Sequence, residues 1–349
     1  MHTKGLGIIR HSGFLEHMPG PTHPEHPRRL KALYQMLERE FEGVFLDITP
    51  RPATVDELEL VHTPFYIQKV LNTAQQEHTM LSPDTPVCNR SYHAAFLAVG
   101  AAICGVEEVS AGRVGSCFAL VRPPGHHALP DAAMGFCIFN NIAVAAEYAY
   151  KRLGIGRILI IDWDVHMGNG ISEIFYDKSH VFYFSTHRLE LFPYVGDSTQ
   201  LGKGDGIGTN LNIPLPSETT TEDFVSIYWL TLKEIIPIFR PELTIVAAGY
   251  DVHYMDPVGK LNVKEEAFYI ITQVIRAHLN EIGSHKLLLV LEGGYDPIGL
   301  SLCVKETLKA LIDPIQMPLI QPSSLAQGLI EEVMGKWRLN LPPTKPPCQ

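Results

Sequence analysis

In the stretch Arg157-Ile-Leu-Ile-Ile-Asp-Trp-Asp-Val-His-Met-Gly-Asn-Gly170, an unbroken aliphatic run ends abruptly in carboxylates, an imidazole and glycines. A strand with no polar face has nothing to offer water, so Arg157 to Asp162 belongs inside a parallel sheet covered on both sides. Its polar end marks the carboxyl edge of that sheet, outside which open α/β folds bind their ligands. On either side, short apolar runs rich in β-branched residues alternate with longer segments of helical period.

The other candidate strands are Leu6 to Arg10, Cys117 to Val121, Val181 to Ser185, Leu211 to Pro214, Leu243 to Ala247 and Lys286 to Leu291. Candidate helices are Pro27 to Glu40, Ser91 to Ser110, Asn140 to Arg152, Thr221 to Phe239, Val263 to Asn280 and Leu300 to Ile312. No linker breaks the alternation and no repeat of roughly 20 to 50 residues recurs, which predicts a single α/β domain. The end, Pro342 to Gln349, is proline-rich and reads as a tail.

Hydrophobic residues make up 46% of the 349 and charged residues 19%, enough apolar side chain for a large core. A formal charge of -10 argues against a broad basic surface for nucleic acid. No stretch approaches the roughly 18 consecutive apolar residues of a membrane span, and the start lacks the basic-then-apolar pattern of an export signal. A soluble, cytoplasmic protein is expected. Cys88, Cys104, Cys117, Cys137, Cys303 and Cys348 show no paired spacing, so they read as small buried hydrophobes of a reducing compartment.

Chemistry-bearing residues gather at four predicted strand ends. These are Arg122-Pro-Pro-Gly-His126-His127, Asp162-Trp-Asp164-Val-His166-Met167-Gly-Asn169, Gly249-Tyr-Asp251 and Glu292-Gly-Gly-Tyr295. Asp164 and His166 are two apart, so at an extended strand end their side chains point the same way. With Asp251 from another strand they form a donor set suited to zinc, with the fourth position left for water. Asp162 reads as a carboxylate that holds a histidine ring from behind.

His126 and His127 suit proton transfer near neutral pH, and the Tyr295 hydroxyl suits an oxyanion. Alone, an Asp-x-His pair or a Gly-Gly-Tyr is an ordinary turn. Four such elements at four strand ends point to a site.

At these residues the chain resembles the histone deacetylase superfamily, which also includes acetylpolyamine amidohydrolases and acetoin utilisation proteins, from His23-Pro-Glu-His-Pro-Arg28 through Glu292-Gly-Gly-Tyr295. The resemblance is strongest to its bacterial and class II branches. It implies a central, mostly parallel eight-stranded sheet flanked by helices, the arginase/deacetylase fold, over residues 1–341. It makes Asp164, His166 and Asp251 the zinc ligands, His126 and His127 the acid/base pair, and Tyr295 the carbonyl-polarising residue.

Asp162 then backs His126 and Asn169 backs His127. Because an amide stabilises an imidazolium less than a carboxylate does, His127 is expected to lose its proton more readily. Gly135-Phe136-Cys137 and Leu191-Phe192-Pro193 match the motifs whose phenylalanines wall an acyl-lysine tunnel, and Asp84 matches a rim acid that binds substrate backbone. A potassium ion is implied beside the zinc, held by the backbone of Asp162, Asp164, His166 and Thr186 with the hydroxyl of Ser185.

Two departures from the family pattern bear on function. Met167 stands where relatives place a second histidine, which predicts altered packing or electrostatics rather than lost activity. Val258 stands where the polyamine-specific branch has a glutamate, and an apolar side chain cannot pair with a cationic polyamine. The expected substrate is therefore an acylated lysine or a small N-acyl amine, and a homo-oligomer is left open.

The rival readings are an acetylpolyamine amidohydrolase, a binuclear manganese hydrolase of the arginase type and a low-turnover acyl-group reader. The manganese site needs a carboxylate two residues past the metal-binding histidine, where this chain has Gly168. His11, His17, His23 and His26 are too irregularly spaced for a second metal site. Gly202 to Gly208 lacks the ending of a phosphate loop and reads as a flexible rim loop.

Overall fold

A computed structural model describes residues 5–340; the predicted tail and Cys348 lie outside them. The elements in chain order are β1 (Leu6–Ile9), α1 (Arg28–Glu40), β2 (Leu46–Ile48), α2 (Val55–Leu58), α3 (Pro64–Asn72), β3 (His78–Ser82), β4 (Thr85–Cys88), α4 (Ser91–Ser110), β5 (Ser116–Ala119) and α5 (Asn141–Leu153). They continue as β6 (Ile158–Asp162), α6 (Asn169–Phe175), β7 (Val181–His187), β8 (Asn210–Pro214), α7 (Thr221–Phe239), β9 (Leu243–Ala248), α8 (Glu266–Glu281), β10 (Leu287–Leu291), α9 (Pro297–Ile312) and α10 (Ser324–Asn340).

Eight strands form one sheet in the order β2-β1-β5-β10-β9-β6-β7-β8, and every pairing in it is parallel. This is the predicted fold class. Strands β6, β9 and β10 are buried along their whole length, as their aliphatic runs demand. On one side α1, α9, α8, α7 and α10 pack in succession; α4, α5 and α6 form the second layer. Helix α4 is long and apolar enough to cross a membrane by composition alone, but its apolar surface is mostly buried against the sheet and α5.

The four strands whose ends carry the polar clusters, β5, β10, β9 and β6, are consecutive neighbours in the sheet. Because they are parallel, their carboxyl ends lie side by side. The flanking helices start where the sequence supplies caps. Asn140 accepts from the Ala143 amide, Thr220 and Asp223 close a capping box, and Asp296 accepts from the Ile298 and Gly299 amides.

Some expectations need correction. Helix α8 begins at Glu266 because Val263 is held in a strand-like bridge to His253. The loop Gly202–Gly208 is not at the rim. It leads into the amino end of β8, opposite the site, and is tied down by the Lys203 amide on Tyr176 O at 2.8 Å and by Trp337 Nε1 on Gly208 O at 2.8 Å. Strand β2, the β3–β4 hairpin and helices α2, α3, α6 and α10 are additional to the predicted elements. Cys88, Cys104, Cys117, Cys137 and Cys303 are free and buried, as expected.

Candidate active site

The carboxyl ends of β6 and β9 bring Asp164, His166 and Asp251 together, with one donor atom from each within 4.8 Å of the others. His166 Nδ1 faces Asp164 Oδ1 at 3.0 Å and Asp251 Oδ2 at 3.1 Å. The opposite oxygens are tied back: the Gly293 amide donates to Asp164 Oδ2 and the Val165 amide to Asp251 Oδ1, both at 2.9 Å. Each carboxylate thus keeps one oxygen turned to the imidazole.

Both acids are fully buried. Burial, then the charge of Asp164, pushes the Asp251 carboxyl up to about 7. Two carboxylates so close together need a shared proton or a cation between them, and with the facing imidazole the donor set fits a divalent ion. Glycines make the crowding possible. A Cβ on Gly249 would sit 2.1 Å from Asp164 Oδ2, and one on Gly293 would sit 2.2 Å from Asp251 Oδ2.

Beside the acids, the rings of His126 and His127 are 3.9 Å apart. His126 Nδ1 meets Asp162 Oδ2 at 3.2 Å, and His127 Nδ1 meets Asn169 Oδ1 at 2.8 Å. An amide oxygen only accepts, so His127 carries its proton on Nδ1 and leaves Nε2 bare. Burial lowers both imidazoles, but the charges of Asp164 and Asp162 outweigh it at His126 and lift it to about 10. His127 has no such partner, and burial with the charges of His126 and His166 holds it well below its ordinary value.

This is the predicted order of proton loss. Replacing Asn169 with aspartate supplies the missing carboxylate, so N169D is expected to raise the His127 pKa. The acidic limb of the pH profile of kcat/KM should move to higher pH, and an unmoved limb would refute the assignment.

Gly135 and Phe136 both adopt positive φ, 56° and 68°. A Cβ at Gly135 would lie 2.3 Å from His127 Cδ2 and 2.9 Å from Phe192 Cε1, so glycine is needed for closeness as well as backbone. Phe136 meets Tyr295 edge-on at 5.8 Å and Phe192 meets His127 at 5.0 Å, so the two predicted wall residues border the predicted catalytic ones.

Asp84, the expected rim acid, also has a local role. Its Oδ2 accepts from the Gly135 amide at 3.0 Å, and its Oδ1 accepts from the Ser82 hydroxyl at 2.6 Å and the Thr85 hydroxyl at 3.0 Å, so it props the Gly135–Phe136 turn. Met167 is buried in the core, in keeping with a packing role.

Around the predicted potassium position, Asp162 and Ser185 are register partners on β6 and β7. The Ser185 hydroxyl contacts His187 Nδ1 at 2.9 Å, and Thr186 Oγ1 contacts the Tyr228 hydroxyl at 2.7 Å. Among the four amino-terminal histidines, the Nδ1 atoms of His11, His23 and His26 accept local backbone amides and His17 contacts Ser91, so they do not converge.

The roles of three supporting residues are not legible in the sequence. Glu292, fully buried, accepts from the Gly125 and His126 amides at 2.7 and 3.1 Å and clamps the His-His turn. Tyr183 donates to Asp162 Oδ2 at 2.9 Å. Arg29 donates to the carbonyls of Gly294 and Glu292 and lies 5.0 Å from the Tyr295 ring centre, fixing the loop that carries Tyr295. Nothing in a tyrosine on a strand or an arginine on a helix announces such partners in advance.

The family model of the histone deacetylase domain matches residues 23–311. The chain is similar to histone deacetylase 10, chloroplastic, of Oryza sativa subsp. japonica, at 35% identity over 83% of this chain and 70% of that protein. It is 36% identical to polyamine deacetylase HDAC10 of Homo sapiens over 89% of this chain and 48% of that protein. With the histone deacetylase-like amidohydrolase of Pseudomonas aeruginosa it shares 34% identity over 85% and 78% of the two chains.

A crystal structure of the HDA15 HD domain matches with a TM-score of 0.89 at 32% identity, covering 96% of this chain and 95% of that one. Fold, clustered site residues and sequence likeness agree: this chain belongs to the histone deacetylase family, a family of enzymes that hydrolyse acyl amides.

Proposed function

We propose that the protein is a zinc-dependent hydrolase that deacylates N-acyl amines of the acyl-lysine kind. The observation that carries this reading is the convergence of Asp164, His166 and Asp251 on one point beside two imidazoles with unlike partners. Zinc held by these three residues would supply Lewis acidity toward the amide carbonyl and a more acidic water.

The remaining chemistry belongs to the chain. Bare Nε2 of His127 takes a proton from the attacking water, and a protonated imidazole of the pair returns one to the departing amine nitrogen. Burial, followed by the charges of Asp251 and Asp164, keeps the Tyr295 hydroxyl protonated far above neutral pH, so it can donate to the oxygen on which charge develops. Phe136 and Phe192 give an apolar slot for an alkyl chain and keep water from it.

Purified protein is expected to contain one zinc ion per chain and to release amine from an acetyl-lysine peptide. A chelator should abolish release, and added zinc should restore it. Two manganese ions per chain would favour the arginase-type reading, against which stands Gly168: a Cβ there would lie 2.4 Å from Asp162 Oδ2, leaving no room for another carboxylate. A peptide bound but never cleaved would make the protein a reader.

The human relative's name makes polyamines the second reading. Val258, half-buried with its amide on Asp256 Oδ1 at 2.8 Å, offers no charge to a cation.

A further inference from the structure

The Tyr295 ring forms part of the wall of a cavity of about 380 Å³, lined also by Thr22, His23, His26, Arg28 and Val258. Phe136 touches both sides of the partition: its ring contacts His23 at 4.6 Å and Tyr295 at 5.8 Å. The cavity therefore adjoins the slot proposed for the acylated alkyl chain.

Its charge is of one sign. Among the described residues no aspartate or glutamate lines it, in a chain whose formal charge is -10. Arg28 is exposed, and among the described residues its guanidinium has no acidic partner. The nearby acids are already engaged. Glu25 is buried, with its carboxylate bonded to Arg122 and Arg29. Asp256 accepts the amides of Tyr295, Val258 and Gly259.

Arg29, also in the lining, is turned to Glu25 and to backbone carbonyls. Helix α1 points its amino end here with no acidic residue in its first turn, and its Arg28 amide is taken by the uncharged His26 Nδ1.

We infer that this cavity is a specificity subsite for a carboxylate carried by the substrate beside its acylated amine, so that the enzyme selects acyl-lysine in an acidic peptide and disfavours polycations. The inference rests on the proposed function and deepens it. Arg28 is its principal recognition group, with His26 Nε2 as a hydrogen-bond donor. Charge at an exposed rim acts mainly through encounter and is screened by salt.

The test is a series of acetyl-lysine pentapeptides with Asp, Ala or Lys flanking the modified residue, assayed on the full chain at low and high ionic strength. Expected is kcat/KM in the order Asp, Ala, Lys, with about 1.5- to fivefold per step at low salt, the scale of an exposed ion pair, and a narrower spread at high salt. Arg28→Glu should invert the order and Arg28→Lys should keep it. Equal kcat/KM across the series, or an order unchanged in R28E, overturns the subsite.

If the Ala peptide itself is not cleaved, the proposed function fails. The subsite is then read by fluorescence anisotropy of the same labelled peptides: tighter binding of the Asp peptide than of the Lys peptide supports it, and equal binding overturns it.

Discussion

Tyr295→Phe is expected to lower turnover by about a hundredfold or more, the usual consequence of removing one oxyanion donor. The substitution removes only the hydroxyl. The ring is held between the Phe136 edge and the Arg29 guanidinium, and the Tyr295 amide is bonded to Asp256 Oδ2 at 2.6 Å, so the loop keeps its shape without the oxygen.

The lost interaction forms as charge develops on the substrate, so kcat should fall far more than KM rises. Metal content and thermal stability should match the parent. Equal turnover in mutant and parent would remove Tyr295 from the chemistry.

The second large effect is on stability. Glu25, Arg122 and Arg29 form a buried charge cluster: Glu25 accepts from Arg122 Nη2 at 2.7 Å and from Arg29 Nη1 at 2.9 Å, and all three are fully buried. Arg122 also donates to the carbonyls of Phe14 and His17 at 3.0 and 3.1 Å, drawing the amino-terminal loop against the end of β5.

Glu25→Gln keeps the shape but strands two guanidinium groups without their counter-charge, which should cost about 3–5 kcal/mol. Denaturant unfolding would measure it, and a loss below about 1 kcal/mol, the scale of an ordinary surface pair, would refute the assignment. Burial works to raise the Glu25 carboxyl, but the Arg122 charge, hydrogen bonds from His17 and Arg122 and the Arg29 charge together outweigh it and hold it well below the usual carboxylate range. Its contribution is therefore complete above the unfolded carboxyl value of 4.5 and fades only as pH falls through the depressed folded value.

What the sequence reveals follows from how locally each feature is encoded. The aliphatic run Ile158–Ile161 needs no partner to be recognised as an interior strand, and α4 and α7 match their predicted bounds because long periodic segments carry their own signal. The carboxylates and imidazoles were legible because they interrupt such runs at strand ends.

Strand β2, by contrast, has three residues and is largely exposed, so it has no apolar run to find. Helix α10 is pinned by burial of Trp337 rather than by pattern. The Glu292 clamp and the Arg122–Glu25 pair join residues 167 and 97 apart, a relation no local window contains. Gly202–Gly208 was misplaced because glycine content signals a turn but not the end of the sheet on which it lies.

The amide that steadies Asp164 comes from Gly293, 129 residues later in the chain. During synthesis, Asp164 and His166 leave the ribosome long before their third companion and this distant clasp. A nascent or clipped chain can thus display acidic and imidazole groups without enclosing them, and only completion of the central strand pairing closes the chamber. Capture of the proposed ion would therefore be a late event in the life of the polypeptide, and a fragment ending before Gly293 carries every candidate donor yet lacks the lock.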